Sequence, residues 1–244
     1  MAKKTKTAEL KENPAQQESG IIAESVSIAE PTSEANNELK ETKTSKCPVE
    51  CLQHQKELDW LLEKVGELKP MRILEVGSFY GGTLWHWMQV SPKSKIISVD
   101  MLVSTDHPGC EKQKDGHLNL WQKWAAKNEI DLTILETSST HPDTIEAVKK
   151  VLPEVDFLFI DGDHDYEYVK CDYLMYSPLI REGGLIAFHD IVDAPGQRGV
   201  NKFWNELKEK FKTEEITTAN DRGIGIIWKT KDNIEIKKPG VILK

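Results

Sequence analysis

The 244-residue chain is poor in cysteine, in aromatic residues and in long apolar runs, and each shortage excludes a class of protein. Four cysteines in a chain this long do not form a disulfide framework, so reduced intracellular thiols are expected. No apolar run approaches the roughly 20 residues needed to span a bilayer. Met1 is followed by Ala-Lys-Lys-Thr-Lys with no apolar segment behind it, so no secretory leader is expected. With 15 glycines and 11 prolines the composition is neither collagen-like nor low-complexity. The formal charge of -8 argues against generic nucleic-acid binding, though not against a local basic patch. A cytoplasmic α/β protein with no membrane partner is what remains.

Residues 1–46 contain no aromatic residue; the first is Trp60. Seven Lys and eight Glu share this stretch with Thr, Ser, Ala, Asn and Gln. Such a segment cannot bury enough apolar surface to offset its ordering entropy, so a disordered polar tail is expected, available as an arm for a protein partner. Ile21–Ile28 is its one apolar stretch, long enough for a transient helix or a docking patch.

From residue 47 the patterning becomes regular. Leu58, Leu61, Leu62, Val65 and Leu68 fall at helical spacing, predicting an amphipathic helix over 51–68 that Pro70 ends. Buried-strand runs follow at 72–76, 95–100, 131–135, 155–161 and 185–189, alternating with helical patterns at 83–90, 118–127, 142–151 and 166–180. That alternation implies βαβ crossovers and a parallel sheet covered on both faces. Gly183 and Gly184 read as a helix stop before the fifth strand. A helix at 201–211 and two strands at 215–218 and 223–229, joined by a short turn, predict an antiparallel ending. The expected architecture is a Rossmann-like, doubly wound, mostly parallel sheet of about seven strands with an antiparallel last strand. The domain is placed at 47–230, with an extended tail at 231–244.

The strongest local signal is Ile-Leu-Glu-Val-Gly-Ser-Phe-Tyr-Gly-Gly-Thr-Leu, residues 73–84. A buried strand carries Glu75, turns at Gly77 and enters a helix after Gly81 and Gly82. Glycines let the backbone approach a ligand, and a helix N-terminus offers free N–H groups to an anion. The dinucleotide fingerprint is broken, because Phe79 stands where its second glycine belongs. This loop, with an acid two residues before its first glycine, resembles the first motif of the class I S-adenosylmethionine-dependent methyltransferases. The resemblance implies that Gly77, Ser78, Tyr80 and Gly81 lie against the methionine end, with Glu75 a short reach from the ammonium. It also implies that Asp100, 23 residues after Gly77, accepts the ribose hydroxyls and that Ser138 contacts the adenine.

The fourth strand runs into Asp161-Gly162-Asp163-His164-Asp165 and the fifth into His189-Asp190. Ligands of doubly wound sheets bind outside the carboxyl ends of the strands. Adjacent fourth and fifth strands would bring Asp161, His189 and Asp190 together, a donor set suited to Mg2+ or another divalent cation. The Asp-Gly-Asp-His string, the later Gly-Gly and the His-Asp pair resemble the group of macrocin-type O-methyltransferases and cephalosporin hydroxylase-like proteins. Catechol-type relatives carry Asp-Asn where this chain has His189-Asp190. The implied activity is O-methylation of a small hydroxylated acceptor such as a sugar. Asp161, His164 and His189 are the candidate catalytic residues, and His164 is the general base if no cation binds.

Cys47, Cys51 and His54 lack the spacing and fourth ligand of a zinc site. Cys110 and Cys171 read as lid and helix packing residues. Trp85 and Trp87 read as core or pocket wall, Trp121 and Trp124 as cover for a pocket. The segments 102–117 and 193–199 are long for strand-to-helix connections and read as the loops that select the acceptor. An NAD-type oxidoreductase and a non-catalytic cofactor- or partner-binding module are the alternatives.

Overall fold

The structure is a computed structural model. It describes residues 47–49, 51–101, 114–192, 199–218, 222–231 and 233, without the side chains of 114–119. The chain divides into two units, Met1–Thr44 and Ser45–Lys244, and everything described belongs to the second. The expectations for the N-terminal tail, for most of the 102–117 and 193–199 loops with Cys110, and for nearly all of the C-terminal tail lie outside the described residues.

Helix α1 (Gln55–Leu68) buries Leu58, Leu61 and Val65, as its spacing requires. Then follow β1 (Arg72–Val76), α2 (Gly82–Val90), β2 (Lys95–Asp100), α3 (Lys114–Lys127), β3 (Asp131–Glu136), α4 (Pro142–Val151) and β4 (Val155–Ile160). After α5 (Tyr166–Tyr176) come β5 (Ile180–His189), α6 (Val200–Lys208), β6 (Thr213–Ile216) and β7 (Ile224–Trp228). The strands form one sheet in the order β3-β2-β1-β4-β5-β7-β6. β1 to β5 run parallel, while β7 is antiparallel to both β5 and β6.

Alternate strand residues serve opposite faces, the reason these strands read as continuous apolar runs. Leu74, Ile97, Leu158 and Ile186 pack on one face with Val148, Tyr173 and Trp204 of α4, α5 and α6. Ile73, Ile96, Phe157 and Leu185 pack on the other with Leu61, Trp87 and Trp121 of α1, α2 and α3. No described helix is long and apolar enough to cross a membrane.

Three expectations shift, each for a physical reason. The fifth helix stops at Tyr176, because Pro178 lacks the N–H that would continue it and a 3-10 turn over Ser177–Leu179 takes over. Gly183 and Gly184 are therefore not a helix stop. They lie inside β5, where pairing with β4 jumps from Val155↔Ile180 to Phe157↔Leu185. Gly183 takes φ +75° at this bulge, and a Cβ on Gly184 would meet Asp156 O at 2.9 Å. Strand β6 ends at Ile216 rather than 218, because Thr218 gives its N–H and hydroxyl to Glu57.

The sheet order reverses between β1 and β4, so their carboxyl ends lie side by side with a crevice above them. Gly77 N donates to Val99 O (2.9 Å) and Asp161 N to Val76 O (2.8 Å), extending the ladder to the residues that matter next.

Candidate active site

The glycine loop is held open from below by an acid. Asp100, at the end of β2, accepts hydrogen bonds on Oδ2 from Ser78 N (2.6 Å) and Phe79 N (2.8 Å). Two backbone amides thus point at one carboxylate, and Phe79 takes a left-handed φ of +48° to allow it. A Cβ on Gly77, whose φ is +82°, would collide with the backbone carbonyl of Asp161. The expected close approach at Gly77 is thus between the β1 loop and the β4 end. At Gly81, the N-cap of α2 (φ +81°), an added Cβ would collide with the Trp121 indole. Trp121 Nε1 donates to Tyr80 O (3.0 Å), so α3 pins the loop with the N–H edge of a tryptophan.

Glu75 is the fourth residue of β1. It is wholly buried, accepting from Trp87 Nε1 (2.7 Å) on one oxygen and from Ser98 Oγ (3.1 Å) on the other. Burial pushes its carboxyl up to about 8 against the pull of the Thr83, Trp87 and Ser98 hydrogen bonds. Glu75 braces the loop from inside the sheet. Ser138 lies half-buried just past β3, its Oγ 3.1 Å from Thr140 Oγ1 and its carbonyl accepting from Thr144 Oγ1 (2.8 Å).

The acidic cluster forms at the ends of β4 and β5. His189 Nδ1 lies 3.1 Å from Asp161 Oδ1 and 3.4 Å from Asp190 Oδ2. His164 Nε2 lies 3.0 Å from the same Asp190 oxygen. Asp190 has a left-handed φ of +59°, which Asp tolerates better than most residues and which swings its carboxylate back over the strand end. Burial alone would lower the imidazole pKa of His189, but Asp161 and Asp190 outweigh it and push it up to about 10. The hydrogen bond to Asp190 raises the imidazole pKa of His164 above its ordinary value. Burial would raise the Asp190 carboxyl, and the two histidines instead hold it far below the ordinary range.

Asp161, His164 and Asp190 each offer a ligand atom, and these atoms all lie within 4.8 Å of one another. Asp190 Oδ1 is buried and accepts no hydrogen bond from any described residue. Two carboxylates, one imidazole and an uncommitted buried oxygen fit a divalent cation. The trio differs from the one expected: His164 takes the place of His189, whose ring is 1% exposed and already turned toward the carboxylates.

Sequence reasoning did not find Gln53. It lies ahead of α1 and donates through Nε2 to Asp161 Oδ2 (2.7 Å) across 108 residues. It carries no periodic or motif signal.

Residues 74–191 match the family model described as "methyltransferase domain". Uncharacterized protein R132 of Acanthamoeba polyphaga mimivirus is 29% identical over 134 residues, covering 52% of this chain and 54% of that protein. A rhamnosyl O-methyltransferase of Mycobacterium tuberculosis is 24% identical over 156 residues, 61% of this chain and 57% of that one. The chain therefore spans little more than half the length of these relatives. Among solved structures, the SAH-bound methyltransferase PaMTH1 of Podospora anserina superposes with a TM-score of 0.51 at 19% identity, over 73% of this chain and 80% of that one. The two chains share a fold.

Proposed function

We propose that this chain is an S-adenosylmethionine-dependent O-methyltransferase that acts on a small hydroxylated acceptor, a sugar in the first instance, with a divalent cation at its acidic cluster. The reading is carried by one observation: the glycine loop and the acidic cluster share a wall, with Gly77 pressed against the carbonyl of Asp161. A methyl donor gripped from β1 and β2 would meet an acceptor hydroxyl held at the ends of β4 and β5. The match over 74–191 to a methyltransferase domain supports the donor, and the rhamnosyl O-methyltransferase relatives support the acceptor class.

The donor supplies an electrophilic methyl on a sulfonium. The acceptor oxygen forms the new bond to that methyl, the sulfur keeps the electrons of the old one, and the hydroxyl proton, more acidic where a cation would hold the oxygen, leaves to water. Positioning supplies most of the acceleration in such a displacement. Asp100 and the amides it organises hold the donor end, with Trp121 fixing the loop from above. Asp161, His164 and Asp190 would hold the cation, which lowers the pKa of a bound hydroxyl. His189 steadies the two carboxylates from beneath.

The test is transfer of a labelled methyl from S-adenosylmethionine onto glycosides with free hydroxyls, rhamnosides first. Incorporation is expected with Mg2+ or Mn2+, lost with EDTA and restored by added metal. Incorporation that EDTA leaves untouched would remove the cation, and no incorporation into any hydroxylated glycoside would remove the acceptor class.

A further inference from the structure

Resting on that reading, we propose that Gln53 is a positioning residue for the cation site, reaching in from a strap ahead of α1 to orient the Asp161 carboxylate. Both oxygens of Asp161 are engaged by protein donors, Oδ1 with His189 Nδ1 at 3.1 Å and Oδ2 with Gln53 Nε2 at 2.7 Å. Each carboxylate oxygen accepts at two lone pairs, so one on each remains for a cation. Carboxylates that ligate metals are ordinarily held this way by a second ring of hydrogen bonds, which fixes their orientation.

The strap is built to hold the amide in place. Cys51 Sγ donates to Gln53 Oε1 (3.0 Å), which turns the NH2 end toward Asp161. Burial pushes the Cys51 thiol up to about 11, so it keeps its proton and its donor role at neutral pH. One residue further on, His54 caps α1, and the Thr218 hydroxyl lies between His54 Nδ1 (2.7 Å) and Glu57 Oε1 (2.8 Å). Glu57 is wholly buried and also accepts from Thr218 N (2.8 Å) and Gly223 N (3.1 Å). The neighbouring Arg222 carbonyl accepts from Val192 N (2.8 Å), two residues past Asp190. The segment that carries Gln53 is thereby tied to the β6–β7 connection, and through it to the chain that carries Asp190. Two ligands from different strands keep their spacing only if such ties hold, and Gln53 makes the one direct contact between strap and cluster among the described residues.

The probe is Mn2+ alone, titrated into the full chain and followed by the loss of the free-ion electron paramagnetic resonance signal. Gln53→Ala and the near-isosteric Gln53→Met are compared with the unaltered protein. Both variants should bind Mn2+ roughly 10–100-fold more weakly, as for loss of an outer-ring partner. Their circular dichroism and their calorimetric affinity for S-adenosylhomocysteine should stay as they were. Unchanged Mn2+ affinity in the folded variants would overturn the proposal, and so would tighter binding, which would make the amide a competitor of the cation. Failure of the unaltered protein to bind Mn2+ would overturn it together with the cation site. S-adenosylhomocysteine binding in that same sample would leave the methyltransferase reading standing.

Discussion

Asp190→Ala is expected to abolish metal-dependent methyl transfer, a loss of at least about 10²–10⁴-fold of the size seen when proton transfer at a reacting group fails. The affinity for S-adenosylhomocysteine should survive. Asp190 sits past β5, with His164 Nε2 at 3.0 Å and His189 Nδ1 at 3.4 Å, whereas the donor site proposed above is built from β1 and β2. Removing a buried carboxylate also leaves His164 and His189 without this partner, which costs several kcal/mol of stability in such pairs. Asp190→Asn is therefore the companion variant. It keeps the shape and an acceptor oxygen for one imidazole but removes the charge that would hold a cation. EDTA treatment of the unaltered protein should reproduce its phenotype. Full activity in a folded Asp190→Asn variant would remove the cluster from the mechanism.

The second large effect is expected at Asp100. Asp100→Ala should weaken S-adenosylmethionine by about 1.5–3 kcal/mol, the range for hydrogen bonds to a charged group and more than tenfold in affinity. Part of that loss comes from the loop, because the carboxylate also accepts from Ser78 N and Phe79 N. Asp100→Asn separates the two contributions. Its remaining carbonyl oxygen can still accept from the loop amides, so the loop should stay ordered while the charge proposed to face the ribose is gone. Isothermal calorimetry on both variants reads the split, and equal affinity in all three proteins would sink the ribose assignment.

Much of this site was legible before any coordinates, and the reason is local. Asp161 and His189 each follow directly on an apolar run, with Asp190 next after His189, and a run of that kind is a strand whose end is fixed by where the apolar residues stop. The order of strands in a doubly wound sheet then brings those ends together. Gly77 was legible for the same reason, as the first residue past β1. What was not legible depends on contacts far apart in sequence. Gln53 and Asp161 are 108 residues apart, and Glu57 reaches Gly223 across 166. Gly81 looked like a glycine facing a ligand, but its missing Cβ makes room for Trp121, and nothing in the spacing of α3 distinguishes a tryptophan on a loop from one over a pocket. The Gly183-Gly184 pair was misread because a glycine doublet after a helix fits a stop and a bulge equally well; the early break at Pro178 decides between them.

On the reading proposed above, the β1 loop and Asp100 form a site for S-adenosylmethionine rather than for a dinucleotide. Calorimetry of the full chain with S-adenosylhomocysteine and with NAD, each with and without Mg2+, goes to it directly. Saturable one-to-one binding of S-adenosylhomocysteine is expected, with no heat from NAD, whose pyrophosphate would meet the Phe79 position where the dinucleotide fingerprint has glycine. Saturable binding of NAD with none of S-adenosylhomocysteine would contradict it.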